Sequence, residues 1–95
     1  MTFTVRWTTE AEESFRLIIH YLEENRSEKQ TQKFVRIVRN KIRKIADFPH
    51  MFEASASNST IRKGVITKQC LLFYQVENDV VVLLYFWDNR RKPRY

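Results

Sequence analysis

Gln69-Cys70-Leu71-Leu72-Phe73-Tyr74-Gln75-Val76, a break at Glu77-Asn78-Asp79, then Val80-Val81-Val82-Leu83-Leu84-Tyr85-Phe86-Trp87: this stretch decides the fold. Two runs rich in β-branched and aromatic residues, separated by turn formers, predict two antiparallel strands. The second run is the most hydrophobic in the chain and is expected to be a central strand. The first has so little polar content that both its faces are expected to be covered. Upstream, residues 60–66 read as one more strand, with Gly64 as a bulge and Thr67-Lys68 as its turn. These three strands form an antiparallel meander.

Further upstream the period changes from two to 3.6. Phe34, Ile37, Val38, Ile42 and Ile45 mark the apolar stripe of a helix over residues 28–47. Ser27-x-x-Gln30 supplies its capping box, and Phe48-Pro49 ends it, because the residue before proline is pushed out of the helical region. Ala11, Phe15, Ile18 and Leu22 mark a second stripe over residues 10–25, with Ile19 and Tyr21 flanking it. Thr8 and Thr9 both offer caps; Thr9-x-x-Glu12 fits a capping box, and Glu10, Glu12 and Glu13 suit the positive end of the helix dipole. So short a link predicts a helix hairpin. Phe3, Val5 and Trp7 alternate with Thr4 and Arg6 in a short first strand. In the loop after the helices, Met51 and Phe52 are expected to tuck under the sheet. The prediction is an α+β fold in the order β-α-α-β-β-β, with the helix hairpin on one face of a mostly antiparallel four-stranded sheet, as a single domain over residues 1–95.

Composition narrows the function classes. One Gly in 95 residues argues against a glycine-rich phosphate loop, and one Cys excludes an intramolecular disulfide and a multi-cysteine zinc site. His20 and His50 have no partner at ligand spacing, so neither a metal nor a cofactor is expected. No apolar run reaches the length of a membrane span. The start of the chain has no signal-peptide profile, so a cytoplasmic protein with no membrane partner is expected. The net charge is +6, unevenly spread. Residues 1–28 hold six acids and three bases, whereas residues 29–68 hold ten bases and two acids. Such a field favours polyanions or an acidic protein partner.

The bases fall into two groups. Lys29, Lys33, Arg36 and Arg43 share one face of the second helix, with no acid interleaved; that stripe is expected to bind a protein partner. Arg62 and Lys63 stand on the second strand and Lys68 at its turn. Arg90, Arg91, Lys92 and Arg94 follow the last strand, close to Tyr95. The meander brings Lys68 to the same end of the sheet as Arg90 and Arg91. Arg62, Lys68, Arg90, Arg91, Lys92 and Arg94 are therefore the expected contacts to a target or nucleic acid. Metal-free RNA cleavage needs a base, donors for the phosphate oxygens and an acid; in this cluster those roles fall to Lys68 or Lys63, Arg90 or Arg91, and Tyr95, with Lys63, Lys68, Arg90 and Tyr95 as the working set. Cys70 reads as a small hydrophobe in a strand.

Trp7-Thr8-x-x-Ala11, Phe15, Ile18, Tyr21-Leu22, then Phe34, Ile37, Ile45 and Pro49, resemble the first half of RelE/ParE-superfamily toxins. Ile61-Arg62-Lys63-Gly64, Leu72-Phe73-Tyr74-Gln75-Val76, residues 80–84 and Asn89-Arg90-Arg91 resemble the final three strands of that family and their exit. The resemblance covers nearly the whole chain. It implies the toxin half of a type II toxin–antitoxin system, neutralised by a cognate antitoxin with an acidic segment, and a role such as plasmid stabilisation. RelE-like members cleave mRNA on the ribosome; ParE-like members inhibit DNA gyrase. The pattern in helix one is closer to the ParE branch. The RelE-like catalytic pattern maps onto Arg62 or Lys63, Arg90 or Arg91, and Tyr95, but its arginine on strand three falls on Leu71. That departure favours the gyrase reading, with the ribosome-dependent mRNA endonuclease and a non-toxic binding module as alternatives.

Overall fold

The computed structural model describes residues 2–90. Its elements are β1 (Thr4–Trp7), α1 (Thr9–Asn25), α2 (Glu28–Asp47), β2 (Ile61–Thr67), β3 (Cys70–Glu77) and β4 (Val80–Asp88). They form one four-stranded sheet in the order β1-β4-β3-β2, so the most hydrophobic run does lie inside the sheet. The meander is antiparallel throughout, whereas β1 pairs parallel with β4, Val5 opposite Val81 and Trp7 opposite Leu83. A parallel pair cannot be joined by a tight turn; here the chain leaving β1 runs through the helix hairpin, crosses to β2 at the far edge and returns through β3 before it reaches β4. Asn78 takes a positive φ of 53° in the β3–β4 turn, a conformation asparagine tolerates.

The core lies between the sheet and the two helices. Ala11 and Ile18 from α1, Val38 and Ile45 from α2, and Ile66, Leu72, Tyr74, Val81, Leu83 and Phe86 from the sheet are all buried. Trp7, Phe15, Phe34 and Phe86 form a continuous aromatic cluster with ring centroids 5.2–6.3 Å apart. Truncating a buried leucine such as Leu72 to alanine costs about 2–5 kcal/mol.

The helix caps divide into a local and a non-local case. The Ser27 hydroxyl accepts from the N–H of Gln30 at 3.1 Å and Gln30 answers to the N–H of Ser27, the predicted box. At α1 the cap is Thr8, not Thr9. The Thr8 hydroxyl accepts from the N–H of Ala11 at 3.0 Å and lies 2.9 Å from both the Leu83 and Leu84 carbonyls, to which it donates. The N–H of Thr8 also donates to the Leu83 carbonyl, so β4 chooses the capping residue and Thr9 becomes the first helical position.

Three further expectations are corrected. The irregularity in β2 falls between Val65 and Thr67, not at Gly64. Gly64 instead sits close under a loop side chain: an added Cβ would meet the Phe52 ring at 3.3 Å and the Leu72 carbonyl at 3.4 Å, a tight fit that asks the ring to give by a few tenths of an ångström. Phe52 packs against the core, as expected, and its ring lies over Gly64, the place under the loop that Met51 would need; Met51 is exposed. Finally, β3 is covered on one face only. Leu72 and Tyr74 are buried under the helices, whereas Leu71 and Phe73 on the other face are half-buried. In the β3–β4 ladder an extra residue, Leu84, stands opposite the step from Phe73 to Tyr74.

Candidate functional site

Strand alternation distributes the candidate residues between the two faces of the sheet. In β2, Gly64 and Ile66 are buried toward the helices while Lys63 and Val65 are exposed on the opposite face. Lys63 pairs with Phe73, and Phe73 with Tyr85; Val65 pairs with Leu71, and Leu71 with Trp87. The face without helices is therefore aromatic and apolar, with Lys63 at its margin. The Phe73 and Tyr85 rings stack at 4.7 Å upon it. Arg62 has the other parity. Its Nη1 donates to the Phe52 carbonyl at 2.6 Å, which ties the loop to the edge of the sheet.

Arg90 lies on the helix side. Its Nε and Nη2 donate to the two carboxylate oxygens of Asp88 at 2.9 and 2.8 Å, and its backbone N–H donates to the same group. The guanidinium sits 4.5 Å above the ring centroid of Tyr21 in α1. Paired planar donors and a ring face fix its orientation. The hydrogen bond to Asp88 stabilises its charged form and raises its pKa further. Sequence reasoning missed Asp88; its position two residues before Arg90, at the end of a strand, was the available signal.

Lys68 lies in the β2–β3 turn. Its carbonyl accepts from Asn89 Nδ2 at 3.2 Å, and the Gln69 carbonyl accepts from the N–H of Asn89 at 2.7 Å. The turn and the exit of β4 are thus joined through backbone, and Lys68 stands at the same end of the sheet as Arg90. Arg91, Lys92, Arg94 and Tyr95 lie outside the described residues. On α2, Lys29, Lys33, Arg36 and Arg43 are all exposed, and none forms an ion pair with a described residue. Cys70 is buried, and its thiol pKa is pushed up to about 12, first by burial and then by Asp88, with Arg90 pulling the other way. A thiol so protonated is no nucleophile near neutral pH. Among the described residues, no three His, Cys, Asp or Glu side chains gather where they would hold a metal ion. No helix is long and apolar enough to cross a membrane.

The family model described as the ParE toxin of the type II toxin–antitoxin system parDE matches residues 5–93. The chain belongs to the ParE toxin family. Structural likeness agrees with this at the level of the fold. A protein of a chromosomal ParDE system from P. aeruginosa superposes with a TM-score of 0.77 at 10% identity, covering 92% of this chain and 96% of that one. A protein of the RelBE2 toxin–antitoxin complex from Mycobacterium tuberculosis gives 0.62 at 16% identity, covering 93% and 99%. A conserved Helicobacter pylori protein solved in solution gives 0.62 at 17% identity, covering 94% and 97%. No curated protein matches the sequence. This ParE-family chain is thus a type II toxin of the ParE/RelE superfamily, with the helix hairpin and sheet predicted for it.

Proposed function

We propose that this toxin arrests growth by inhibiting DNA gyrase, and that a cognate antitoxin with an acidic segment neutralises it. The observation that carries the reading is the separation of the groups a ribonuclease would need. Lys63 lies on the face without helices and Arg90 on the face with them. Two of the guanidinium donors of Arg90 are spent on Asp88, and Leu71 stands at the strand-three position to which the resemblance to RelE-like toxins assigns an arginine. A phosphate at its transition state needs donors converging on one point. The aromatic face of Leu71, Phe73, Tyr85 and Trp87 suits a protein surface better than an RNA backbone. Arg62, Lys68, Arg90, Arg91, Lys92 and Arg94 supply the positive field toward the target. Lys29, Lys33, Arg36 and Arg43 supply it toward the antitoxin.

The test is a supercoiling assay with purified gyrase. Inhibition at micromolar toxin, relieved by the antitoxin, is expected; full supercoiling at a tenfold molar excess of toxin overturns the reading. The second reading, a ribosome-dependent mRNA endonuclease using Lys63, Lys68, Arg90 and Tyr95, is favoured by one observation: the Asn89 contact that brings Lys68 and Arg90 to one end of the sheet. Primer extension on translating ribosomes would then show A-site cuts that vanish in Arg90→Ala. Unimpaired growth on induced expression would select the third reading, a non-toxic binding module.

A further inference from the structure

The outer face of α2 is chemically uniform. From position 29 to position 44 every exposed residue is a lysine, an arginine, a glutamine or an asparagine. Lys29, Lys33, Arg36 and Arg43 lie along one line of the helix, with Arg39 and Lys44 beside it. At about 1.5 Å per residue the line is about 21 Å long. The only acids of α2, Glu28 and Asp47, stand at its two ends. Each accepts a hydrogen bond from a neutral group, Glu28 from Gln32 and Asp47 from Thr2. Glu24 of α1 meets His20. None of the six cations forms an ion pair with a described residue. Like charges on successive turns repel, so the helix carries an electrostatic strain that its described neighbours do not relieve.

Such a face selects among polyanions. Protein interfaces are anchored at their centre by apolar and aromatic side chains, and none is exposed between positions 29 and 44 of α2. The stripe therefore steers an acidic protein at long range but has no anchor to hold one. Phosphates, by contrast, are held by lysine, arginine, asparagine and glutamine, the four types present. A single strand would also need rings on which its bases stack, and this face offers none. A straight row of cations suits the regular backbone of a duplex, and about 21 Å spans about six base pairs. We infer that the outer face of α2 binds the phosphate backbone of duplex DNA, without regard to base sequence, through Lys29, Lys33, Arg36 and Arg43. The inference rests on the gyrase reading only for the kind of duplex: gyrase acts on duplex DNA, so a toxin that engages it meets that backbone. It adds a second contact, on the helix side of the molecule, away from the aromatic face of the sheet.

The test uses the full chain and labelled probes in fluorescence anisotropy over a series of salt concentrations. The probes are two short DNA duplexes of unrelated sequence, one of their single strands, the duplex RNA of the same sequence, and a polyglutamate peptide. Both DNA duplexes are expected to bind alike. Each phosphate contact contributes about 0.9 to the fall of log affinity with log salt concentration. Arg36→Gln with Arg43→Gln should therefore reduce that slope by about two and weaken binding about tenfold or more. Arg6→Gln with Arg16→Gln removes the same charge elsewhere; it should leave the slope unchanged and cost less than about threefold. All four positions are exposed, so circular dichroism should show both variants folded. The proposal is overturned if no duplex DNA binds, if the single strand, the duplex RNA or polyglutamate binds more tightly, or if both pairs of substitutions change the slope equally. Gyrase inhibition by the unmodified chain is read in a separate supercoiling assay. Inhibition without a slope change in the α2 variant sinks this inference alone, and the slope change without inhibition sinks the gyrase reading alone.

Discussion

Tyr74 shows how one polar atom is fitted into an apolar core. The side chain is fully buried, and its hydroxyl donates to the Pro49 carbonyl at 2.8 Å, holding the end of the helix layer against β3. Burial pushes its phenol pKa up, with Arg62 acting against that shift. Tyr74→Phe leaves the carbonyl unpaired and should lower stability by about 1–2 kcal/mol in urea denaturation. Cys70 gives a pH-dependent counterpart. Its thiol pKa is raised in the folded state, so the unfolded chain loses its proton first as pH rises. The stability tied to the neutral thiol is fully present below the unfolded thiol pKa, about 8.5. It is lost at no more than about 1.4 kcal/mol per pH unit between there and the folded value of about 12. Cys70→Ala should flatten that alkaline slope, and the native thiol should resist iodoacetamide at pH near 8 yet react once the chain is unfolded in urea. The sequence made Cys70 legible as a small hydrophobe, because its neighbours in the run are apolar. It did not make the Asp88–Arg90 pair legible, because a search for converging bases passes over the acid that immobilises one of them.

Between elements, the junction of α1 with β4 depends on two hydroxyls. Thr8 caps the helix while donating to the carbonyls at the extra residue of β4. Ser14 accepts from the N–H of Phe86 at 2.9 Å and donates to the Ala11 carbonyl. Beyond Trp7 no β1 residue pairs with β4, so these side chains satisfy backbone that a longer β1 would have satisfied. Thr8→Ala should cost about 1–2 kcal/mol, and Ser14→Ala about 1–3 kcal/mol by orphaning a buried donor. Amide exchange should quicken at Ala11 in the first variant and at Phe86 in the second. The contrast with α2 explains what sequence can and cannot fix. Ser27 and Gln30 are three residues apart and find each other locally. The choice of Thr8 over Thr9 is made by carbonyls 75 and 76 residues away. The same holds for Gly64: its close neighbour is the Phe52 ring across a loop, and the irregularity of its own strand lies elsewhere, between Val65 and Thr67.

Across the whole molecule, the sheet separates two surfaces of different character. One side carries the helices, the cationic stripe and Arg90; the other carries the Phe73–Tyr85 stack and Lys63. Hydrophobic periodicity alone was enough for the order of elements and the central place of β4. The parity of Lys63 could also be counted from Gly64. The side taken by Arg90 could not, since Tyr21 of α1 and Asp88 decide it together. The separation argues for a toxin that grips a protein rather than one that cuts RNA. The most direct test is the topology of a reporter plasmid from cells arrested by induced expression of this chain, resolved on chloroquine gels. The account predicts a shift toward relaxed topoisomers as growth stops. Normally supercoiled plasmid in arrested cells would contradict it.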